Sequence, residues 1–219
     1  MTYFKKTFQT ENKTLPSAFG VIGGMCIFGL FIHANSWLRV ISFAGLTIAA
    51  VIIGQSVRDI KSMLHVLGIV PFHRQVIYYS ITGIILGILL GLVYNFFKAD
   101  SLLPATLTRF ALLAPLIGIT EELVFRGFVQ SRSASSGAII SVLIAASGHT
   151  LYKYLVIETV QVELDTDIPS LVLLTFLAGV VMGIMRELSK SIFPPALAHA
   201  FFDILVYGGA SLAPVWIWS

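Results

Sequence analysis

Residues Val76–Phe97 read VIYYSITGIILGILLGLVYNFF, twenty-two positions without an Asp, Glu, Lys, Arg or His. At 1.5 Å per residue a helix of this length crosses a hydrocarbon layer of about 30 Å. Arg74 and Lys98 stand just outside the run, so charge marks both ends and none lies within. Further apolar runs of spanning length lie at roughly 18–33, 37–56, 102–125, 137–157, 170–188 and 192–210, about seven in all. The last is expected to break near Gly208-Gly209, and the tail carrying Trp216 and Trp218 reads as an interfacial anchor, because indole rings prefer the headgroup level. The predicted fold is all-α, a polytopic bundle of transmembrane helices.

Composition points the same way. Of 219 residues, 57% are hydrophobic and 11% charged, against about 25% charged in soluble domains. So few charges cannot cover a water-facing surface. The spans and short loops use up the chain, so a single integral membrane domain over 1–219 is expected, with no second, soluble one. The net charge of +3 comes from basic residues scattered in short loops, not from a basic face, so no nucleic-acid partner is expected. Cys26 is the only cysteine, which excludes a disulfide framework or thiolate metal site within the chain. Lys5, Lys6 and Lys13 ahead of an apolar run look like a signal peptide. No clean cleavage site follows and more spans do, so an uncleaved first span is expected.

Loop charge sets the orientation. Lys5, Lys6 and Lys13, then Arg58, Lys61 and Arg74, then Arg132, then Arg186 and Lys190 occupy loops of one parity. Loops of the other parity hold Arg39 at an edge, Lys98 with Asp100, and the acidic stretch Glu158, Glu163, Asp165 and Asp167. Basic loops stay in the cytoplasm, which places the N-terminus there. Gly83, Gly87 and Gly91 recur at four-residue spacing. They fit a close helix–helix contact, or simply the frequency of Gly in membrane helices.

Ionisable groups inside spans are costly, about 2.5–3.5 kcal/mol each at the bilayer centre, so each calls for a reason. The fourth run ends in Thr120-Glu121-Glu122-Leu123-Val124-Phe125-Arg126-Gly127. Glu122 and Arg126 share a helix face at i,i+4. Arg126 can neutralise one carboxylate and leave Glu121, about 100° round the helix, for other work. An interfacial salt bridge that ends a span is the plainer explanation of this segment alone. His149 lies in the fifth run, where a lone histidine is more often a packing residue than a catalyst. In the seventh, His199 and Asp203 share a face at i,i+4, so the carboxylate can orient the imidazole.

Depth links these pieces. From the helical rise, Glu121 lies roughly 15 Å, His149 roughly 18 Å and His199 roughly 10 Å from the cytoplasmic ends of their helices. Three helices thus bring acid and imidazole groups to one layer, in the cytoplasmic half. A carboxylate with imidazoles can deprotonate water and stabilise an oxyanion, the equipment for amide hydrolysis. His149, His199 and Glu121 could also ligate zinc and lower the pKa of its water. The helical zinc-protease pattern HExxH is absent from the sequence.

These residues resemble the CAAX-protease and bacteriocin-processing (Abi) family of intramembrane endopeptidases, and within it the type II CAAX prenyl endopeptidases. That family carries Glu-Glu-x-x-x-Arg, Phe-x-x-x-His and His-x-x-x-Asn/Asp on three successive conserved helices. Glu121, Glu122 and Arg126 match the first motif, and His199 and Asp203 the third. His149 matches the histidine of the second, with Ala145 where the family has Phe. Leu67-Gly68-Ile69-Val70-Pro71 looks like the family's entry to its conserved core. The resemblance covers roughly 60–208 and leaves residues 1–59 as two accessory spans. It implies an endopeptidase in which Glu121 is the general base, with His149 and His199 as partners and Asp203 beside the third-motif histidine. Glu122 and Arg126 are implied to be a structural pair. It leaves open a divalent metal such as zinc; no obligatory tight metal is expected. The implied substrate is a membrane-associated protein or peptide, lipidated or plain: a lipid-anchored protein's end, a leader or a bacteriocin precursor. The enzyme would be a multi-pass protein of the cell membrane, in contact with membrane lipid, with its site toward the cytoplasm. The rival classes are a non-catalytic immunity or binding protein of the same fold, and a proton-coupled transporter, whose usual inverted repeats the sequence lacks.

Overall fold

The computed structural model describes residues 14–57, 59–98, 101–160 and 167–210. Lys5, Lys6, Lys13, Arg58, Asp100, Glu163, Asp165, Trp216 and Trp218 lie outside them. The described residues form helices α1 (Thr14–Phe31), α2 (Ser36–Gln55), α3 (Ile60–Val66), α4 (Arg74–Lys98), α5 (Phe110–Glu122), α6 (Gln130–Arg132), α7 (Ala138–Glu158), α8 (Ile168–Ser189) and α9 (Phe193–Tyr207). No strand occurs among them. Four helices are long and apolar enough to cross a membrane: Ser36–Gln55, Arg74–Phe97, Ala138–Glu158 and Ile168–Ser189. Leu15–Phe31 and Phe193–Tyr207 are shorter apolar helices. A π-helical segment, Leu123–Val129, joins α5 to α6, so the chain is helical without a break from Phe110 to Arg132.

The fourth apolar run, expected at 102–125, is therefore shifted. Pro104 lacks an N–H and holds the residue before it out of the helical region, which keeps Leu102 and Leu103 out of α5. The irregular stretch instead ties onto the end of α9. The Thr108 amide donates to the Gly208 carbonyl at 2.8 Å and its hydroxyl to Ala210 O at 2.8 Å. Asn95 at the end of α4 donates to Leu102 O and Leu205 O at 3.0 and 3.1 Å.

The helix ends meet as alternating antiparallel crossings require. Thr159 after α7 donates to Gly29 O near the end of α1 at 3.2 Å. At the opposite end, Ile192 N donates to Gly68 O at 2.9 Å, and Arg132 donates to Ser56 O after α2. Gly68 sits at φ +73°, the left-handed region that a Cβ disfavours, in the 67–71 stretch singled out from the sequence. Leu67 packs there on Gly127.

Polarity is distributed inside out relative to a soluble fold. Leu112, Ile139, Leu174 and Phe97 are exposed, while Glu121, Glu122, Arg126, Gln130, His149 and Asp203 are buried. Apolar outer faces suit lipid, and charges kept inside suit pairing rather than hydration. Val21, Met25 and Phe28 of α1 cluster with Phe125, Phe128, Ala145, Tyr152 and Val156, so the first span packs on the helices of the site. Of the two readings of the glycine series, the close contact holds. A Cβ at Gly83, Gly87 or Gly91 would run into Pro194 O, Ala198 O or the Leu205 side chain, so α4 lies against the backbone of α9. That contact fixes the helix carrying His199 and Asp203.

Candidate active site

Glu121 and Glu122 close α5, and Arg126 lies in the π-helical segment that follows. A regular α-helix is the simplest expectation here. The π register inserts extra backbone per turn, a feature found mostly at functional sites. The predicted pair survives it: Arg126 Nη1 donates to Glu122 Oε1 at 2.8 Å, and both side chains are fully buried.

The same Nη1 lies 2.9 Å from His149 Nδ1. A guanidinium can only donate, so Nδ1 accepts and the proton of a neutral His149 ring resides on Nε2. That Nε2 faces Glu121 Oε2 at 3.2 Å. Phe125, one turn of backbone away in the first motif, lies beside the His149 ring with centroids 4.9 Å apart. An aromatic neighbour is thus supplied although position 145 is Ala.

His199 comes in from α9. Its Nδ1 donates to Glu122 Oε1 at 3.0 Å, because a carboxylate already paired with Arg126 is ionised and can only accept. Its Nε2 stands 3.9 Å from Glu121 Oε2 and 3.8 Å from Asp203 Oδ1, both beyond a hydrogen bond. Glu122 is therefore the carboxylate that orients His199, not Asp203, and it is more than the partner of Arg126. Asp203 is buried against α5, where Gly118 leaves room: a Cβ there would meet Asp203 Oδ2 and the His199 ring. All six residues expected from the sequence are thus assembled. Glu121 lies midway along the continuous helix from Phe110 to Arg132, and His149 near the middle of α7, so the meeting level is central in both.

One group was missed. Lys153 Nζ lies 2.6 Å from Glu121 Oε1, so Glu121 is not left free by Arg126 but carries a cation of its own. The signal was available: Lys153 follows His149 by four residues and shares its face of α7. The Lys153 side chain is 29% exposed and that of Glu121 2%. Lys153 is thus the least buried side chain of the site.

The donor set does not fit a zinc centre as it stands. His149 presents an N–H, not a lone pair, toward Glu121, and the His199 nitrogen on Glu122 is also a donor. Lys153 and Arg126 already supply the positive charge that a divalent ion would bring. No group of three or more His, Cys, Asp and Glu among the described residues is arranged to hold a metal ion.

Residues 104–205 match the family model of the Rce1-like type II CAAX prenyl endopeptidases. The resemblance read from the three motifs is borne out over that stretch, which is narrower than the 60–208 the motifs suggested. The match takes in α5 to all but the last two residues of α9, and so every residue of the site, Lys153 included. No curated protein and no solved structure matches the chain. The Rce1-like family is one of proteases that act on membrane-associated proteins or peptides, and with the apolar helices it points to an integral membrane hydrolase.

Proposed function

We propose that the chain is an intramembrane endopeptidase in which Glu121 activates water. The observation that supports this best is that Glu121 Oε2 faces two imidazole nitrogens, His149 Nε2 at 3.2 Å and His199 Nε2 at 3.9 Å, in a buried site. His149 holds the carboxylate by its N–H. In a neutral His199 ring, whose proton is on the Nδ1 that meets Glu122, the Nε2 lone pair faces the same oxygen and can accept a hydrogen bond from a water set beside both. That water gives a proton to Glu121 as its oxygen bonds to the scissile carbonyl carbon, and the C=O π pair moves onto oxygen. When the tetrahedral species collapses, the C–N bond breaks and the Glu121 proton passes to the leaving amine. Glu122 and Arg126 hold His199 and His149 in register, and Asp203 sets the polarity beside His199. No step requires a metal.

The substrate we infer is a membrane-associated protein or peptide, lipidated or plain. The chain would form one integral membrane domain of about seven spans. With basic residues at the end bearing Lys61, Arg74, Arg132, Arg186 and Lys190, the positive-inside rule puts that end and the N-terminus in the cytoplasm. The site itself lies near the middle of α7, with Lys153 beyond His149 on the side away from that basic end.

The test follows cleavage of quenched peptides, prenylated and plain, by detergent-purified protein, comparing wild type with Glu121→Gln. Cleavage lost in a variant that elutes and unfolds like wild type supports hydrolysis at Glu121. Cleavage that survives overturns the mechanism, and a protein that cleaves nothing while retaining its biological effect is a binding protein.

A further inference from the structure

We propose that Tyr152 is a positioning residue: braced by Phe28 of α1, it holds the His149 ring in the orientation from which Nε2 meets Glu121. Its consequence for catalysis rests on the endopeptidase reading above; its geometry rests on packing alone. Arg126 Nη1 at 2.9 Å from Nδ1, and Glu121 Oε2 at 3.2 Å from Nε2, fix the two nitrogens of His149. Two end-on contacts still leave a ring free to rock about the line between its nitrogens. A rocking ring turns its N–H away from the carboxylate and weakens the bond steeply. Neighbouring rings can stop that motion, since offset aromatic pairs attract at centroid separations of about 4.5–7 Å. Phe125 and Tyr152 lie 4.9 and 6.3 Å from His149, and 5.8 Å from each other. The Tyr152 and His149 planes differ by only 22°.

The support for Tyr152 comes from α1, which lies outside the residues matched to the family and carries none of the acids, imidazoles or cations of the site. Tyr152 is fully buried and follows His149 by three residues, on the same side of α7. Phe28 of α1 lies 6.3 Å from its ring. The backbone of α1 closes on it as well: a Cβ at Gly29 would stand 3.0 Å from Tyr152 O and 3.4 Å from its Cδ2. Beside His149 itself, a Cβ at Gly148 would stand 2.8 Å from the Ile22 side chain. One glycine on each helix thus brings α1 against α7, at the level of the imidazole and just beyond it. The Thr159 hydroxyl, donating to Gly29 O at 3.2 Å, secures the far end of the contact. Close-packed interiors transmit small displacements. A change at Phe28 is therefore felt at His149 through Tyr152.

The experiment compares wild type with Tyr152→Phe, Tyr152→Leu, Phe28→Leu and Val156→Ala. It measures kcat and KM on a peptide that wild type cleaves, thermal unfolding, and the ring-nitrogen NMR spectrum of histidine-labelled protein in detergent. The His149 resonances are those lost in His149→Gln. Lys153 Nζ lies 5.7 Å from the Tyr152 ring, so the nitrogen spectrum, rather than activity alone, singles out His149. Wild type is expected to show one bare and one protonated His149 nitrogen, because Nδ1 accepts from Arg126. Tyr152→Leu is expected to lose about 10–100-fold in kcat with KM within about threefold, the scale of a displacement of about 1 Å in a reacting group. Its two His149 nitrogens are expected to move toward a common, averaged position. Tyr152→Phe keeps the ring and is expected to match wild type in both readouts, with Phe28→Leu between the two. Val156→Ala loosens the same cluster one turn farther from His149 and is expected to lower the midpoint while leaving the His149 nitrogens unmoved.

Wild-type kcat and nitrogen positions in Tyr152→Leu overturn the proposal and leave the Glu121 mechanism standing. A Tyr152→Phe variant as impaired as Tyr152→Leu also overturns it, since the hydroxyl and not the ring would then matter. Equal nitrogen shifts in Val156→Ala overturn it too, by reducing Tyr152 to a stabilising residue. If Tyr152→Leu does not fold, Phe28→Leu decides by the same readouts. A wild type that cleaves no peptide removes the endopeptidase reading, while the nitrogen spectra still decide whether Tyr152 holds His149.

Discussion

His199 and Glu122, 77 residues apart in sequence, are joined by a hydrogen bond of 3.0 Å. The accepting oxygen is the one that Arg126 also holds, so one carboxylate oxygen fixes an imidazole of α9 and the guanidinium that fixes an imidazole of α7. The two histidines face Glu121 because Glu122 and Arg126 form a rigid centre between them. The pair that looked like an ordinary helix-surface salt bridge is the frame of the site.

Glu122→Gln tests that frame. The amide oxygen can still accept from His199, but Arg126 loses its counter-charge in a fully buried position. Removing one member of a buried ion pair costs about 3–5 kcal/mol. The expected outcome is a clearly lower unfolding midpoint in detergent together with reduced cleavage. Glu121→Gln, by contrast, is expected to lose cleavage with a smaller shift of the midpoint, since its cation Lys153 is partly exposed whereas Arg126 is fully buried. Equal midpoints for the two variants would contradict a structural role for Glu122.

Gly118→Ala is a test by a single methyl group. The added Cβ would lie 2.9 Å from His199 Cδ2 and also against the Asp203 carboxylate. Overpacking of this kind costs about 1–3 kcal/mol, and here the side chains that must yield are those of the site. Cleavage is expected to fall at least about tenfold, because displacements of about 1 Å in a reacting constellation can cost 10²-fold. Wild-type kcat in this variant would show that the precise seat of His199 is immaterial.

Much of this arrangement was legible in the sequence, for identifiable reasons. Glu121, Glu122, Arg126, His149, His199 and Asp203 stand out because a charge within an apolar run is expensive, and helical rise alone puts them near a common level. What escaped depends on tertiary structure. The start of α5 could not be read because residues 102–107 are apolar enough to continue a span; only Pro104 and the bonds from Thr108 to the end of α9 keep them irregular. The π register of Leu123–Val129 is a shift of backbone bonding that leaves the side-chain pattern unchanged. The match of Lys153 to Glu121 requires α5 and α7 to be adjacent, although its place one turn past His149 was a hint. Which carboxylate orients His199 was misread for the same cause: Asp203 is near along the helix, but Glu122 is nearer in space.

Glycine packing yields a paired prediction. A Cβ at Gly87 would be 3.0 Å from Ala198 Cα and also against its carbonyl oxygen, so backbone has to shift; at Gly23 and Gly54 it would meet nothing within 4 Å. Gly87→Ala is expected to lower stability by about 1–3 kcal/mol and to reduce cleavage by displacing α9. Gly54→Ala is expected to be neutral or to stabilise by roughly 0.5–1 kcal/mol, since Ala loses less backbone entropy in a helix. Thermal unfolding of both in one detergent checks this. Equal effects would mean that α4 does not set the position of α9.

The hydrogen-bond directions make a claim about metals. For His149 Nε2 to ligate an ion it must lose its proton, and with Arg126 donating at Nδ1 the ring would then be an anion or the Arg126 contact would break. Lys153 would also have to leave Glu121, where it sits at 2.6 Å. An ion could enter only by dismantling the contacts that hold the acid and the imidazoles together. Chelator is therefore expected to leave kcat unchanged, and added zinc is expected not to raise it. Metal content of the purified protein by elemental analysis supplies a second readout, with no stoichiometric zinc expected. Loss of cleavage on chelation, restored by zinc but not by magnesium, would require His149 to turn its ring and would replace the Glu121 base with a metal-bound water.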